Sequence, residues 1–305
     1  MSVRRHAGTY VEVSNLSKRY RRADNFALDG VSFKASKGTI LGILGVNGSG
    51  KTTLARLIIG LLRPTHGTVL LNDKVMTGKE RLTTNIGYVP QFVPAFPGLT
   101  GRDLIEFVLV THGVYGSRKR RAREEIVARL ELEKIESKLL WNMSQGQARL
   151  TLTAAALASK PRLLVFDEPS NGLDPGRRRE LWLLLQEVKR TWSPTILLIT
   201  HDVADAEQVI DEALVLRAGK LAMSGNASQL RRNLAPHAVI KVVTEHDMNS
   251  SCWRKVGANR WERVVPQETA EEMLIETYRS LGETATEITI GYATLEDVLL
   301  SEART

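Results

Sequence analysis

The chain has 305 residues, 43% of them apolar and 25% charged, a balance that suits a globular protein with a sizeable core, either one large domain with an appendage or two modest domains. Its longest apolar runs, residues 57–62 and 181–185, fall far short of the roughly 20 residues a bilayer span requires; no apolar segment follows the opening MSVRRHAG and Cys252 is the sole cysteine, so neither a membrane span, a secretory signal nor a disulfide framework is expected. The formal net charge of +8 predicts attraction to something anionic, whether nucleic acid, a phospholipid surface or a nucleotide.

Along the chain, apolar alternation at residues 10–13 and 31–33, and the run 68–71 after the turn-like Pro64-Thr65-His66-Gly67, predict mostly antiparallel strands. A short buried strand, Ile40–Leu44, is threaded among them. From Leu99 to about Ala158 the apolar spacing becomes helical, as in residues 103–108 and 125–132. The basic run Arg118-Lys119-Arg120-Arg121-Ala122-Arg123 falls here, and Glu124 and Glu125 stand four residues after Arg120 and Arg121, so a solvated helix face with i,i+4 ion pairs is expected. Contact of that run with lipid head groups or nucleic acid is the alternative. Strand signals return at residues 163–166, 196–199 and 213–216. A helix at 178–189, opened by Arg177-Arg178-Arg179, lies between the first two. Such strand, helix, strand units predict a mostly parallel sheet covered on both faces, into which the helical stretch is inserted. A boundary is expected near residues 231–236, followed by strands at 239–243, 261–265 and 287–290, an amphipathic helix at 270–281 and a last short helix at 295–301. Neither a long-period repeat nor a second phosphate loop is found.

The chemistry is carried by a few motifs. Gly45-Val46-Asn47-Gly48-Ser49-Gly50-Lys51-Thr52-Thr53 fits G-x-x-x-x-G-K-[ST], in which glycines turn backbone N–H groups toward phosphates. The following helix N-terminus adds a positive dipole, Lys51 reaches the β- and γ-phosphates, and Thr52 offers a hydroxyl to Mg²⁺. The apolar strand 163–166 delivers Asp167 and Glu168 at its carboxyl end, where open α/β sheets place their ligands. Asp167 suits a Mg²⁺ shell and Glu168 suits orientation or deprotonation of an attacking water, although a surface Asp-Glu turn before Pro169 is the bland reading. His201 follows another buried-strand pattern and is expected on the same sheet edge as a γ-phosphate contact; alone it would read as a capping or surface histidine. His6, His66, His112, His237 and His246 stay without assignment.

Taken in order over residues 20–202, these motifs resemble those of the ATP-binding subunit of ATP-binding cassette (ABC) transporters. The resemblance implies an α/β P-loop NTPase fold of the ABC type: an N-terminal antiparallel β-subdomain, a helical subdomain at about 95–160 inserted in an ATPase domain of residues 1–234, and a small α+β domain at 235–305. It implies that Tyr20, 25 residues before Gly45, stacks on adenine, with a strand-end tyrosine as the alternative, and that Gln91 touches Mg²⁺ and the attacking water and senses a membrane partner. Ser170-Asn171-Gly172-Leu173-Asp174 matches the loop that crosses the dimer interface. Met143-Ser144-Gln145-Gly146-Gln147 matches the signature, whose Ser144, Gly146 and Gln147 approach the γ-phosphate held by the opposite subunit. That motif departs from LSGGQ at Met143, nearly volume-conserving, and at Gln145, which replaces a glycine and so puts the strength of the phosphate contact in question.

The implied protein binds ATP and Mg²⁺, dimerises with a second ATP-binding subunit, expected to be a copy of itself, and works with transmembrane permease subunits at the cytoplasmic face of the membrane. Residues 96–104 and 293–299 resemble the exporter branch of the family. Two other readings stand beside this one: an ABC ATPase acting on nucleic acid or the ribosome, for which the charge argues and the single cassette argues against, and a nucleotide sensor that hydrolyses poorly, for which Gln145 is the hint. No nucleic-acid partner is expected.

Overall fold

A computed structural model describes residues 8–21, 23–76, 85–92, 98–201, 203–226, 230, 237–248 and 252–292. The chain divides into two compact units, residues 1–224 and 225–305. The expected boundary segment 231–236, the helix at 295–301 and the exporter-like stretch 293–299 lie outside the described residues, as do 96 and 97 of the other.

In the first unit, β1 (Thr9–Arg19) pairs antiparallel with β2 (Phe26–Ser36) and with β4 (His66–Leu71), and β5 (Lys74–Val75) extends the edge. Alternation places Val11 and Val13 inward, and Asn15, at φ 49°, breaks the register so that Leu16 and Ser17 are both buried. The second sheet has the order β10-β9-β3-β8-β7-β6. Its centre consists of β3 (Ile40–Leu44), β7 (Leu163–Asp167) and β8 (Thr195–Thr200), buried at every position, the pattern of parallel strands covered on both faces. Parallel register runs from β9 (Glu212–Arg217) through β3, β8 and β7 to β6 (Ile86–Val89). The strands that deliver the phosphate loop, Gln91, the two acids and His201 therefore end on the same edge.

One core joins the two sheets. Val11, Leu28, Leu54, Ile58, Val165 and Ile199 belong to it, which seats α1 (Lys51–Ile58) between them. The inserted subdomain consists of α2 (Gly101–Thr111), α3 (Gly116–Arg129) and α4 (Gln145–Ala158). Thr100 and Asp103 form a reciprocal capping box that starts α2. Helix α5 (Pro175–Trp192) and the single turn α6 (Val203–Ala206) complete the unit.

Ile40–Leu44, expected among the antiparallel strands, stands instead between β9 and β8 of the parallel sheet, where it is covered on both faces. β6 and β10 (Lys220–Asn226) carried no clear sequence signal: the first is four residues long and gains its identity by pairing with β7. The second follows a two-residue turn, Ala218-Gly219, at φ 45° and 79°. The basic helix face is also paired differently: Glu125 takes Lys160 at 2.8 Å and Glu124 takes Arg123 at 3.7 Å. Arg123 and Lys119 reach across to Glu106 of α2 at 3.3 and 2.6 Å. Tertiary neighbours thus replace the i,i+4 partners that spacing alone suggests.

The second unit is an antiparallel sheet of order β12-β13-β11-β14, formed by β11 (His237–Thr244), β12 (Arg254–Lys255), β13 (Arg260–Pro266) and β14 (Ala285–Tyr292). Its core holds Ala238, Ile240 and Val242 of β11 together with Ala270 and Leu281 of α7 (Ala270–Leu281). The period-2 and period-3.6 patterns in the sequence meet in that contact.

Candidate functional site

The phosphate loop turns between β3 and α1. Gly50, the N-cap of α1, sits at φ 105°, and no side chain caps the helix. The first-turn N–H groups are therefore available to an anion, with the helix dipole behind them. Asn47 and Gly48 are exposed at the tip of the loop. Lys51 is buried, and its Nζ donates to the carbonyls of Gly45 and Val46 at 2.7 and 3.1 Å. Burial pulls its pKa down, against the opposing pull of the Glu168 and Asp167 charges. Ser49 Oγ is buried without a hydrogen-bond partner.

Facing this loop are the acids at the end of β7. The Thr52 hydroxyl donates to Asp167 Oδ1 at 3.2 Å, while Oδ2 is buried with no partner. Burial pushes the Asp167 carboxyl up, offset by the Thr52 hydrogen bond. Such an orphaned oxygen beside a threonine hydroxyl fits a hard cation, which takes oxygen ligands. Among the described residues no group of three His, Cys, Asp or Glu could hold a metal alone. A cation here would have to share its shell with phosphate oxygens.

Glu168 leaves the strand in the left-handed region at φ 53°, a conformation that costs a non-glycine residue about 1–2 kcal/mol. It is held by its own N–H, which donates to Ile199 O at 2.8 Å in β8. The side chain is 3% exposed; Oε1 accepts from His201 Nδ1 at 2.8 Å, and Oε2 has no partner. Glu168 and Asp167 thus each keep one buried oxygen without a partner, and the charges of both act on Lys51. His201, at the end of β8, is half-exposed.

Ser144, Gly146 and Gln147 form a second group at the start of α4. Ser144 is the N-cap, its hydroxyl accepting from Gln147 N at 3.2 Å while Gln147 Oε1 accepts from Ser144 N at 3.2 Å. Residue 145 thereby becomes the first of the helix. Its side chain lies over Gly172: a Cβ added to that glycine would stand 2.6 Å from Gln145 Cδ. A Cβ on Gly146 would stand 3.3 Å from Gly172 O. The signature and the loop 170–174 are therefore packed together within one subunit. Asp174 caps α5, its carboxylate accepting from Arg177 N at 3.0 Å.

Of the residues singled out in the sequence, Lys51, Thr52, Asp167, Glu168 and His201 converge at the ends of three adjacent strands. Tyr20 is 40% exposed with its hydroxyl 3.1 Å from Thr53 Oγ1, which places its ring beside the first turn of α1. Gln91 follows β6 and is half-buried. Arg149 escaped sequence reasoning. Only 1% exposed, it donates through its guanidinium to the carbonyls of Pro90 and Gln91. A lone cation in an otherwise apolar and small-residue stretch of helix was the available signal.

The protein-family model described as ABC transporter matches residues 28–171. The Nod factor export ATP-binding protein I of Rhizobium etli is 34% identical over 238 residues, covering 77% of this chain and 73% of that protein. A probable sulfate/thiosulfate import ATP-binding protein of Chlorella vulgaris is 33% identical over 218 residues, covering 72% and 92%. A dimeric ATP-binding cassette solved in a post-hydrolysis state with ADP and Pi superposes with a TM-score of 0.66 at 27% identity, covering 71% of this chain and 98% of that one. The phosphate loop, the two acids and the capped signature helix all lie within residues 28–171, and the chain belongs to the ABC transporter family as an ATP-binding subunit, an ATPase of P-loop architecture.

Proposed function

We propose that this chain powers export through a separate membrane permease, pairing with a second copy of itself at the cytoplasmic face of the membrane. The carrying observation is that the hydrolytic groups and the signature form two distinct groups on one subunit, the arrangement a head-to-tail pair of ATP sites needs. In this reading the N–H groups of Gly45, Asn47, Gly48, Gly50 and Thr53, the Ser49 hydroxyl and the ammonium of Lys51 hold the phosphates, and Tyr20 stacks on the base. Thr52, Asp167 and Gln91 would hold Mg²⁺, which when bound neutralises charge on the β- and γ-phosphates. Glu168 takes the proton of the attacking water through its free oxygen. His201 steadies that carboxylate and faces the γ-phosphate. Ser144, Gly146 and Gln147 reach the nucleotide of the other subunit, and Asp174 lies at the crossing loop. Residues 1–234 serve as the ATPase domain and 235–305 as an appended domain.

Glu168→Gln tests the chemistry. Turnover should fall by about 10³-fold or more, within the range expected for loss of a general base, while ATP binding persists and the ATP-bound dimer lasts longer on size exclusion. Turnover near that of the wild type would overturn the assignment of Glu168.

Export is supported by the Rhizobium etli relative and import by the Chlorella vulgaris relative, so direction is the second matter to test. The permease that co-purifies from gently solubilised membranes should be reconstituted with this subunit accessible on the outside of the vesicles. Accumulation of substrate inside on adding ATP supports export, and ATP-driven loss of preloaded substrate supports import.

A further inference from the structure

The Gln91 loop and the signature helix are joined by a single buried side chain. Arg149 stands on α4, two residues beyond Gln147, and its two terminal nitrogens donate to consecutive carbonyls, Pro90 O and Gln91 O, the latter at 2.5 Å. Nε has no partner, so the hydrogen bonds of the guanidinium go to that loop backbone, while burial lowers its pKa against the opposing pull of the Asp167 and Glu168 charges. A fork of two parallel N–H donors fixes direction as well as distance, which an ammonium on a flexible stem does not do.

A second contact holds the same helix to the same strand. A Cβ on Gly87, in β6, would stand 2.4 Å from Ala156 O near the end of α4. Only a glycine permits that approach of helix backbone to strand. The helix is thus seated on β6 near its far end and tied to the loop after β6 near its beginning. Between those points, Arg149 and Ala156, lie about two of its turns, too short a stretch of helix to bend independently. Displacement of the Gln91 loop consequently carries α4 and its capped start, Ser144 to Gln147, with it.

We infer that Arg149 is a positioning residue that locks the Gln91 loop to the signature helix, so that the loop facing the cleft and the motif facing the other subunit move as one body. The inference rests on the reading of Gln91 as a hydrolytic and partner-sensing residue.

The test is a double-mutant cycle on the full chain with Arg149→Lys and Gln91→Ala, following kcat, ATP affinity and melting temperature. A misplaced Gln91 affects the hydrolytic step, so Arg149→Lys should lower kcat roughly 10- to 100-fold. It should leave the ATP Kd within about twofold, because the phosphate loop makes that contact. The double variant should be no slower than Gln91→Ala alone, as expected for residues acting through one group. Multiplicative losses in the double variant, or parallel loss of ATP affinity and stability in Arg149→Lys, would overturn the inference while leaving the Gln91 reading intact. A Gln91→Ala variant with undiminished kcat would overturn the Gln91 reading itself, and with it any action of Arg149 through that residue. Should Arg149→Lys not fold, Arg149→Gln carries the same cycle, since its carboxamide can donate to one of the two carbonyls without a buried charge.

Discussion

His201 Nδ1 lies 2.8 Å from Glu168 Oε1, joining the ends of β8 and β7. The contact occupies one oxygen of a buried carboxylate and leaves the other, Oε2, without a partner. A carboxylate oriented in this way by a neighbour presents its remaining lone pairs in one direction, as a general base requires. His201→Ala should therefore lower kcat by about 10²-fold or more with little change in KM. Phosphate-release assays across ATP concentrations check this, and a kcat within about twofold of the wild type would refute the orienting role.

Asp167 is wholly buried with one oxygen unmatched, and burial raises its pKa. The sign of the linkage follows. A raised folded-state pKa contributes stability that is fully present below the unfolded carboxyl value and is lost as pH rises through the folded one. Above its folded-state pKa the ionised Asp167 thus burdens the nucleotide-free protein. Asp167→Asn keeps an acceptor for Thr52 and should stabilise the nucleotide-free chain at pH 8 by about 1–2 kcal/mol, a gain that shrinks toward pH 4. Turnover should be lost at the same time. Thermal melts over that pH range decide the matter, and an equal or lower melting temperature at pH 8 would contradict it.

Gln145 covers Gly172, which sits at φ 78°. Gly172→Ala should cost about 1 kcal/mol for the left-handed backbone plus a steric term for displacing Gln145. Made in a Gln145→Gly background, the same substitution should retain only the backbone part. Urea unfolding of the four proteins measures the difference. Equal costs in both backgrounds would show that the side chain does not constrain the loop.

The acid Glu136, with a side chain 9% exposed, accepts from Arg102 at 2.7 Å and from Arg123 at 2.8 and 2.9 Å. This contact ties the start of α2 to α3 and to the segment before the signature. Glu136→Ala leaves the partly buried Arg123 with only Glu106 and Glu124 as partners and should cost about 1–2 kcal/mol. A loss below about 0.5 kcal/mol in urea unfolding, the level of an exposed pair, would show the cluster to be solvent-screened.

Much of the fold was legible because its signals are local. The apolar stretches that became β7 and β8 read as buried parallel strands, β3 was read as buried but placed among the antiparallel strands, and α7 begins and ends where its spacing predicts. β6 was not legible: four residues including a glycine carry no periodicity, and it is a strand because β7 offers it a parallel partner. The ion pairs of α3 were misassigned for the same reason, since spacing along one helix says nothing of Glu106 or Lys160 brought from elsewhere.

The residue types and spacings of the phosphate loop, the Asp167-Glu168 pair and the signature were determined by the sequence alone, because each is a contiguous run whose chemistry depends on neighbours within a few residues. Tertiary structure decided which oxygens of those acids are free, that Gln145 lies over Gly172, and that Arg149 holds the Gln91 loop to α4. Each of these is a contact between segments distant along the chain, where burial and close packing, rather than local propensity, select the partner.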